Sequence, residues 1–197
     1  MLASISPLVE RASGTRWWRL TGSYLVGSVI GGSALGAVLG SVGALLQLRH
    51  SWVALAGVTA GLAVLAALAD LAGRVPSQRR QVDETWLTTY RDWVIGTGFG
   101  VQLGVGAVTI VTSASTYLTW WFEAASGSAA AGALIGGCFG LARGLPLLSM
   151  TGVRDPAELR RRNAAIVTAL PVARRLAIGA QLSIAGLVGA AAVVAAR

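Results

Sequence analysis

The chain has 197 residues, 54% hydrophobic and only 12% charged, with a mean hydropathy of +0.66. Soluble domains carry about a quarter charged residues, so this composition excludes an ordinary soluble fold and points to membrane helices. The net charge of +8 comes from sixteen Arg and no Lys, and those arginines lie between apolar runs, which is a pattern of membrane orientation and anionic-lipid contact and not of nucleic-acid binding.

Residues 1–19 read as an interfacial amphipathic segment. Leu2, Ile5, Leu8, Val9 and Ala12 fall at helical spacing beside Glu10, Arg11, Arg16 and Arg19, and Trp17 and Trp18 mark an interface. The first apolar run exceeds the roughly 7–15 residues of a signal h-region, so insertion through the first span is expected, without a cleavable signal. Residues 20–197 then read as a single transmembrane domain with spans at 20–48, 52–73, 93–121, 128–149 and 176–196. Arg49-His50-Ser51 leaves room only for a tight turn, and residues 74–92 read as a loop followed by a short interfacial helix. The apolar stretch within 150–175 is shorter than the roughly 20 residues a crossing needs, so it reads as an interfacial helix bent at Pro171. The expected fold is an all-α polytopic membrane helical bundle of about five transmembrane helices with interfacial amphipathic segments.

Charge sets the expected orientation. With the N-terminus cytoplasmic, the inner segments hold thirteen arginines and the outer segments two, Arg49 and Arg197, while Arg143 lies within a span. The positive-inside rule then places the chain in a bacterial cytoplasmic membrane, N-terminus inside and C-terminus outside, with anionic headgroups as its inner partner.

Three spans carry a glycine ladder: GSALGAVLG (32–40), GTGFGVQLG (96–104) and GGCFGLARG (136–144). Glycines at i, i+4 and i+8 share one helix face, and a face without side chains lets a second backbone approach closely. Gly32, Gly36, Gly40, Gly96, Gly100, Gly104, Gly136, Gly140 and Gly144 therefore predict that spans one, three and four share a tight centre. Spans three and four also match at Ile95/Ile135 and Phe99/Phe139 while running in opposite directions, the pattern of an inverted pair.

The stretches IGTGFGVQLG (95–104) and IGGCFGLARGLP (135–146) resemble the transmembrane family of cytochrome c-biogenesis and thiol–disulfide interchange proteins, within the LysE-type transporter group. The resemblance covers about a third of the chain and implies a transporter-like scaffold of glycine-rich inverted repeats. That family's redox members use a cysteine pair. Here Cys138 is the only cysteine, so no redox relay and no functional residue carries over, and an intrachain disulfide is excluded.

The polar residues inside the spans are few. On the expected topology, Asp70 lies about 5 Å, Arg143 about 10 Å, Gln102 about 13 Å and Gln181 about 8 Å from the cytoplasmic ends of their spans. An ionisable group in the membrane normally faces a partner or a cavity. Arg143 reads either as a snorkelling anchor or as the charge of an anion or headgroup site, with Gln102 and Gln181 as hydrogen-bond partners. Asp70 either neutralises Arg143 or pairs locally with Arg74. Thr109, Thr112, Ser113 and Thr116 form a hydroxyl stripe that lines a polar path or satisfies backbone carbonyls four residues back. Cys138 is expected to pack among small residues. His50 stands alone, and Asp83-Glu84 reads as a solvated face, so no catalytic or metal constellation and no cofactor is expected.

Two functions remain open from the sequence. One is a transporter-like scaffold for a small solute or ion, with Arg143, Gln102, Asp70 and Gln181 at its site. The other is a non-catalytic accessory or assembly subunit of a membrane complex, or a homo-oligomer, docked through the ladders and Arg-rich segments. An enzyme is not expected.

Overall fold

The computed structural model describes residues 17–76, 91–106, 111–151, 153 and 155–196. Residues 1–16 of the interfacial segment expected at 1–19, the short helix expected within 77–90, and Thr109 lie outside the described residues, while residues 17–19 open the first long helix.

Helix α1 (Trp17–Leu45) and α2 (Trp52–Ala72) are joined by a tight turn in which Gln47 takes a positive φ of 49°. Ser51 ends that turn by capping α2, its hydroxyl accepting from the Ala54 N–H at 3.3 Å. Next come α3 (Asp92–Val105), α4 (Ser115–Ala125), α5 (Ala129–Gly144) with a 3-10 turn (Leu145–Met150), and α6 (Pro156–Ala195). Four helical segments are long and apolar enough to cross a membrane: α1, α2, α5 with its 3-10 turn, and α6. The fold is that of an all-α membrane bundle.

Two expected elements differ. The third span is not one helix, because α3 stops at Val105 and α4 starts at Ser115. Gly106, at φ +75°, turns the chain out of the helix, and the β-branched run around Val111 and Thr112 resists helical χ1 restriction. In contrast, no separate interfacial helix bends at Pro171. The chain is helical without interruption from Pro156 to Ala195, with Pro171 inside. A proline removes one backbone bond, and the Ala, Leu and Arg on either side are strong helix formers that carry the helix through it. At 40 residues, α6 is about 60 Å long, twice the roughly 30 Å hydrocarbon thickness.

The start of α6 is built for rigidity. Asp155 accepts from the Glu158 N–H at 2.6 Å, Pro156 occupies the first turn, and Glu158 pairs with Arg162 at 2.6 Å. Arg162 also donates to the Thr151 carbonyl at 2.8 Å, which ties the helix to the end of the 3-10 turn.

The centre of the bundle is α1. One of its faces meets α3 in parallel. A Cβ on Gly96, Gly100 or Gly104 would overlap backbone or side-chain oxygen at Leu20 and Ser23, at Tyr24, or at Ser28. From α1, Gly27 and Gly31 are pressed in return on the Thr97 and Val101 carbonyls. Its other face meets α5 antiparallel: Gly32, Gly36 and Gly40 lie on the carbonyls of Gly136, Gly132 and Ser128. Gly140 lies on the Ser28 carbonyl, and the Ser28 hydroxyl donates to the Gly140 carbonyl at 2.5 Å. Lipid gives helices no hydrophobic drive to associate, so this backbone contact and Cα–H···O interaction hold the three together.

Gly36→Ala is therefore expected to lower stability by about 1–3 kcal/mol, because the obstructing atoms are backbone and cannot move aside. Gly57→Ala on α2, where a Cβ meets nothing within 4 Å, is expected to be neutral or mildly stabilising. Thermal denaturation of the two variants in one detergent checks the contrast.

Candidate functional site

In the interior of a membrane, a broken helix exposes backbone groups that no water can satisfy. The break between α3 and α4 sets that problem twice, and each side is met by a charged side chain from another helix.

At the end of α3, Gly106 donates its N–H to the Gln102 carbonyl at 3.3 Å. Arg143, from α5, lies directly against this turn. A Cβ on Gly106 would stand 2.8 Å from an Arg143 guanidinium nitrogen and 3.3 Å from the Thr116 methyl. The same guanidinium lies 5.4 Å over the Phe139 ring, and Tyr24 is within its electrostatic reach. A cation thus faces the negative end of a helix dipole.

At the start of α4, the anion is Asp70 of α2, 3% exposed. One carboxylate oxygen accepts from the Ala114 N–H at 2.8 Å, and the other accepts from the Ser113 hydroxyl at 2.8 Å. Ser113 turns back to accept from the Ser115 N–H at 3.1 Å. Gln181 of α6, 1% exposed, donates its amide to Asp70 at 2.8 Å and to the Ser115 hydroxyl at 2.9 Å. Asp70 therefore acts as an N-cap supplied from a neighbouring helix.

The end of α2 is fixed at the same place. Gly73, at φ +65°, closes a left-handed cap, and Arg174 of α6 donates to the Asp70 carbonyl at 2.7 Å and the Leu71 carbonyl at 3.1 Å. Asp70 thus binds α6 through both its side chain and its backbone.

Of the four candidates, Asp70 and Gln181 are brought together. Arg143 lies at the other end of the break, and no ion pair between Asp70 and either Arg143 or Arg74 forms among the described residues. Arg74 is exposed, and the Asp70 carboxylate is engaged by Ser113, Ala114 and Gln181 instead. Gln102 is half-buried on α3, one turn before Gly106, without a side-chain hydrogen bond to Arg143 or Gln181. The hydroxyl stripe does not form as a helical face. Thr112 is exposed in the break, Ser113 bonds a carboxylate and not a carbonyl four residues back, and Thr116 is buried in α4. Cys138 faces outward from α5 and does not pack in the interior.

Three residues escape a sequence reading. Ser115 and Arg174 matter only because of where the break and the long α6 place them. Glu123 falls where a loop between spans is expected, yet α4 runs on to Ala125 and leaves this carboxyl 1% exposed.

Two clefts lie beside α4 among the described residues. One, of about 340 Å³, lies between α2 and α4 against Leu62, Leu65, Tyr117 and Trp121. The other, of about 460 Å³, is walled by Trp52, Leu55, Phe122, Ile135 and Val188. Both are apolar.

These features define the class: a helical membrane protein with a glycine-seamed core and a discontinuous third segment pinned by intramembrane charges. Among known proteins, the chain is similar to methylamine utilization protein MauF of Methylophilus methylotrophus, at 30% identity over 137 residues. The match covers 68% of this chain and 48% of that protein, so the chain spans about half the length of its relative. No family model and no solved structure matches it.

Removing the Asp70 carboxylate leaves the Ala114 N–H and the Gln181 amide without an acceptor. Asp70→Ala is expected to cost about 1–3 kcal/mol and to accelerate amide exchange at the first turn of α4, with Asp70→Asn intermediate. Hydrogen–deuterium exchange over the peptide containing residues 113–118 reads this directly, and unchanged protection in Asp70→Ala would refute the cap.

Proposed function

We propose that the protein is a non-catalytic accessory or assembly subunit of a bacterial cytoplasmic-membrane complex, in a system related to amine utilization. The observation that carries this reading is how the intramembrane polar groups are used. Asp70, Gln181 and Arg174 fix helix ends to one another, and the α1–α3–α5 interior is closed backbone to backbone. The two clefts beside α4 are apolar, which suits helices or lipid better than a hydrated solute. Similarity to half of a methylamine utilization protein supports the same reading.

A second reading, solute transport, is favoured by one feature. Discontinuous membrane helices whose half-helix ends carry charge are the usual setting of a transporter's binding site. On that reading, Arg143, Gln102, Asp70 and Gln181 surround the break as substrate ligands.

The two readings separate in a paired experiment. Purification of the full chain in mild detergent from its native membrane is expected to recover a stoichiometric membrane partner, and a clean monomer would count against the subunit. Vesicles containing the protein are expected to take up methylammonium no faster than empty vesicles. Uptake that depends on the protein and is abolished by a well-folded Arg143→Ala variant would replace the subunit reading with transport.

A further inference from the structure

The Glu123 side chain takes no part in holding helix ends. Its side chain is 1% exposed, and its Oε2 is buried with no hydrogen-bond partner. The other oxygen reaches the α1/α5 seam, where it lies 3.1 Å from the position a Cβ on Gly136 would occupy, and the Gly32 carbonyl oxygen borders the same point. Gly136 is seven residues into α5, about 10 Å in from the start of that helix. One turn earlier on α4, the Trp120 indole N–H is also buried without a partner.

Among the described residues, the charges that would offset a carboxylate lie elsewhere. α4 packs against α1, α2 and α5. Their titratable groups are Arg19 and Tyr24 on α1, Asp70 on α2, and Cys138 and Arg143 on α5. None of these forms an ion pair or hydrogen bond with Glu123 among the described residues. In the turn before α2, Arg49 donates to the Ser126 carbonyl at 3.4 Å and not to Glu123. The seam atom that borders the same point as the Glu123 carboxyl is the Gly32 carbonyl oxygen, an acceptor. A carboxylate against carbonyl oxygens is repelled, whereas a carboxylic acid can donate its O–H to one of them. An isolated ionised carboxylate in such surroundings is costly enough that the group keeps its proton instead.

We propose that Glu123 is an intramembrane proton-binding site: in the packed bundle its carboxyl is held as the neutral acid, and it binds and releases one proton without a counter-cation among the described residues. Release places a negative charge against the Gly32 and Gly136 region, which the glycine seam cannot screen. α4 must then move away from α1 and α5, or admit water or a cation. The site thus couples a proton to the docking of α4, and it stands whether the protein is a subunit or a transporter.

Infrared difference spectroscopy of the full chain in lipid nanodiscs tests the site. A protonated-carboxyl C=O band is expected at neutral pH, absent in Glu123→Gln and retained in Asp70→Asn. Glu123→Gln, whose amide mimics the neutral acid, is expected to keep wild-type thermal stability. The proposal is overturned if wild type lacks the band, if the band survives in Glu123→Gln, or if Glu123→Gln unfolds or melts well below wild type, since that variant's failure would mean that the ionised form holds the fold.

Discussion

The third segment breaks between α3 and α4, and most of the polar chemistry in this bundle meets the helix ends that the break leaves. A continuous helix satisfies its own backbone; a broken one leaves N–H groups at one end and carbonyls at the other, each costing several kcal/mol in hydrocarbon. The chain meets the two ends with opposite charges drawn from different helices. Asp70 of α2 accepts from the Ala114 amide at the N-cap of α4, and Arg143 of α5 lies on the glycine that ends α3. Each charge also sits at the dipole end of opposite sign. The break therefore joins α2, α3, α4 and α5, and Gln181 and Arg174 extend the same arrangement to α6.

The glycine seam and the polar cluster divide the labour of assembly. Along α1, the side chains are reduced to hydrogen so that carbonyl and Cα can meet, which gives dense contact over a narrow stripe. The α2–α6 pair has no such seam: Gly57, Gly61, Gly179 and Gly186 meet nothing within 4 Å. Directional hydrogen bonds take its place, from Gln181 to the Asp70 carboxylate and from Arg174 to the Asp70 and Leu71 carbonyls. Two halves of one bundle are thus held by different physics. One half depends on shape, where any added carbon intrudes; the other depends on a few polar atoms, each of which needs its partner.

Much of this is legible in the sequence, and the illegible part has a common cause. Apolar length alone places the second span at 52–73 against an observed Trp52–Ala72, and the fourth at 128–149 against Ala129–Met150. A four-residue glycine period identifies a bare helix face because helical geometry allows nothing else. Which helix meets that face is not written in the period. The break is hidden because residues 106–114 are as apolar as any span; only Gly106 and the β-branched run mark it, and both occur in intact membrane helices too. Pro171 misleads in the opposite direction, since one missing N–H does not stop a helix whose neighbours favour it. Glu123 follows from the break: once α4 is understood as a separate short helix, its last turn carries a carboxyl inward to the seam instead of out into a loop.

The polar groups of the interior then fall into two kinds. Asp70 and Arg174 are matched to backbone ends, and Gln181 donates to the Asp70 carboxylate, so changing any of them changes structure first. Glu123 has no such match, and the fold would be simpler with an apolar residue there, since a neutral apolar side chain packs against glycine without a desolvation cost. A buried carboxyl that holds no helix end is the feature that stability does not explain. It also stands beside the two glycine faces that hold α1 to α5, the contact least tolerant of any displacement. A change of charge at that position acts on the tightest packing in the molecule, through the one helix, α4, that is anchored at its far end by Asp70. The carboxylate that fixes the start of α4 and the carboxyl near its end thus bear on a single short rod of 11 residues, fixed at one end and sensitive to charge at the other.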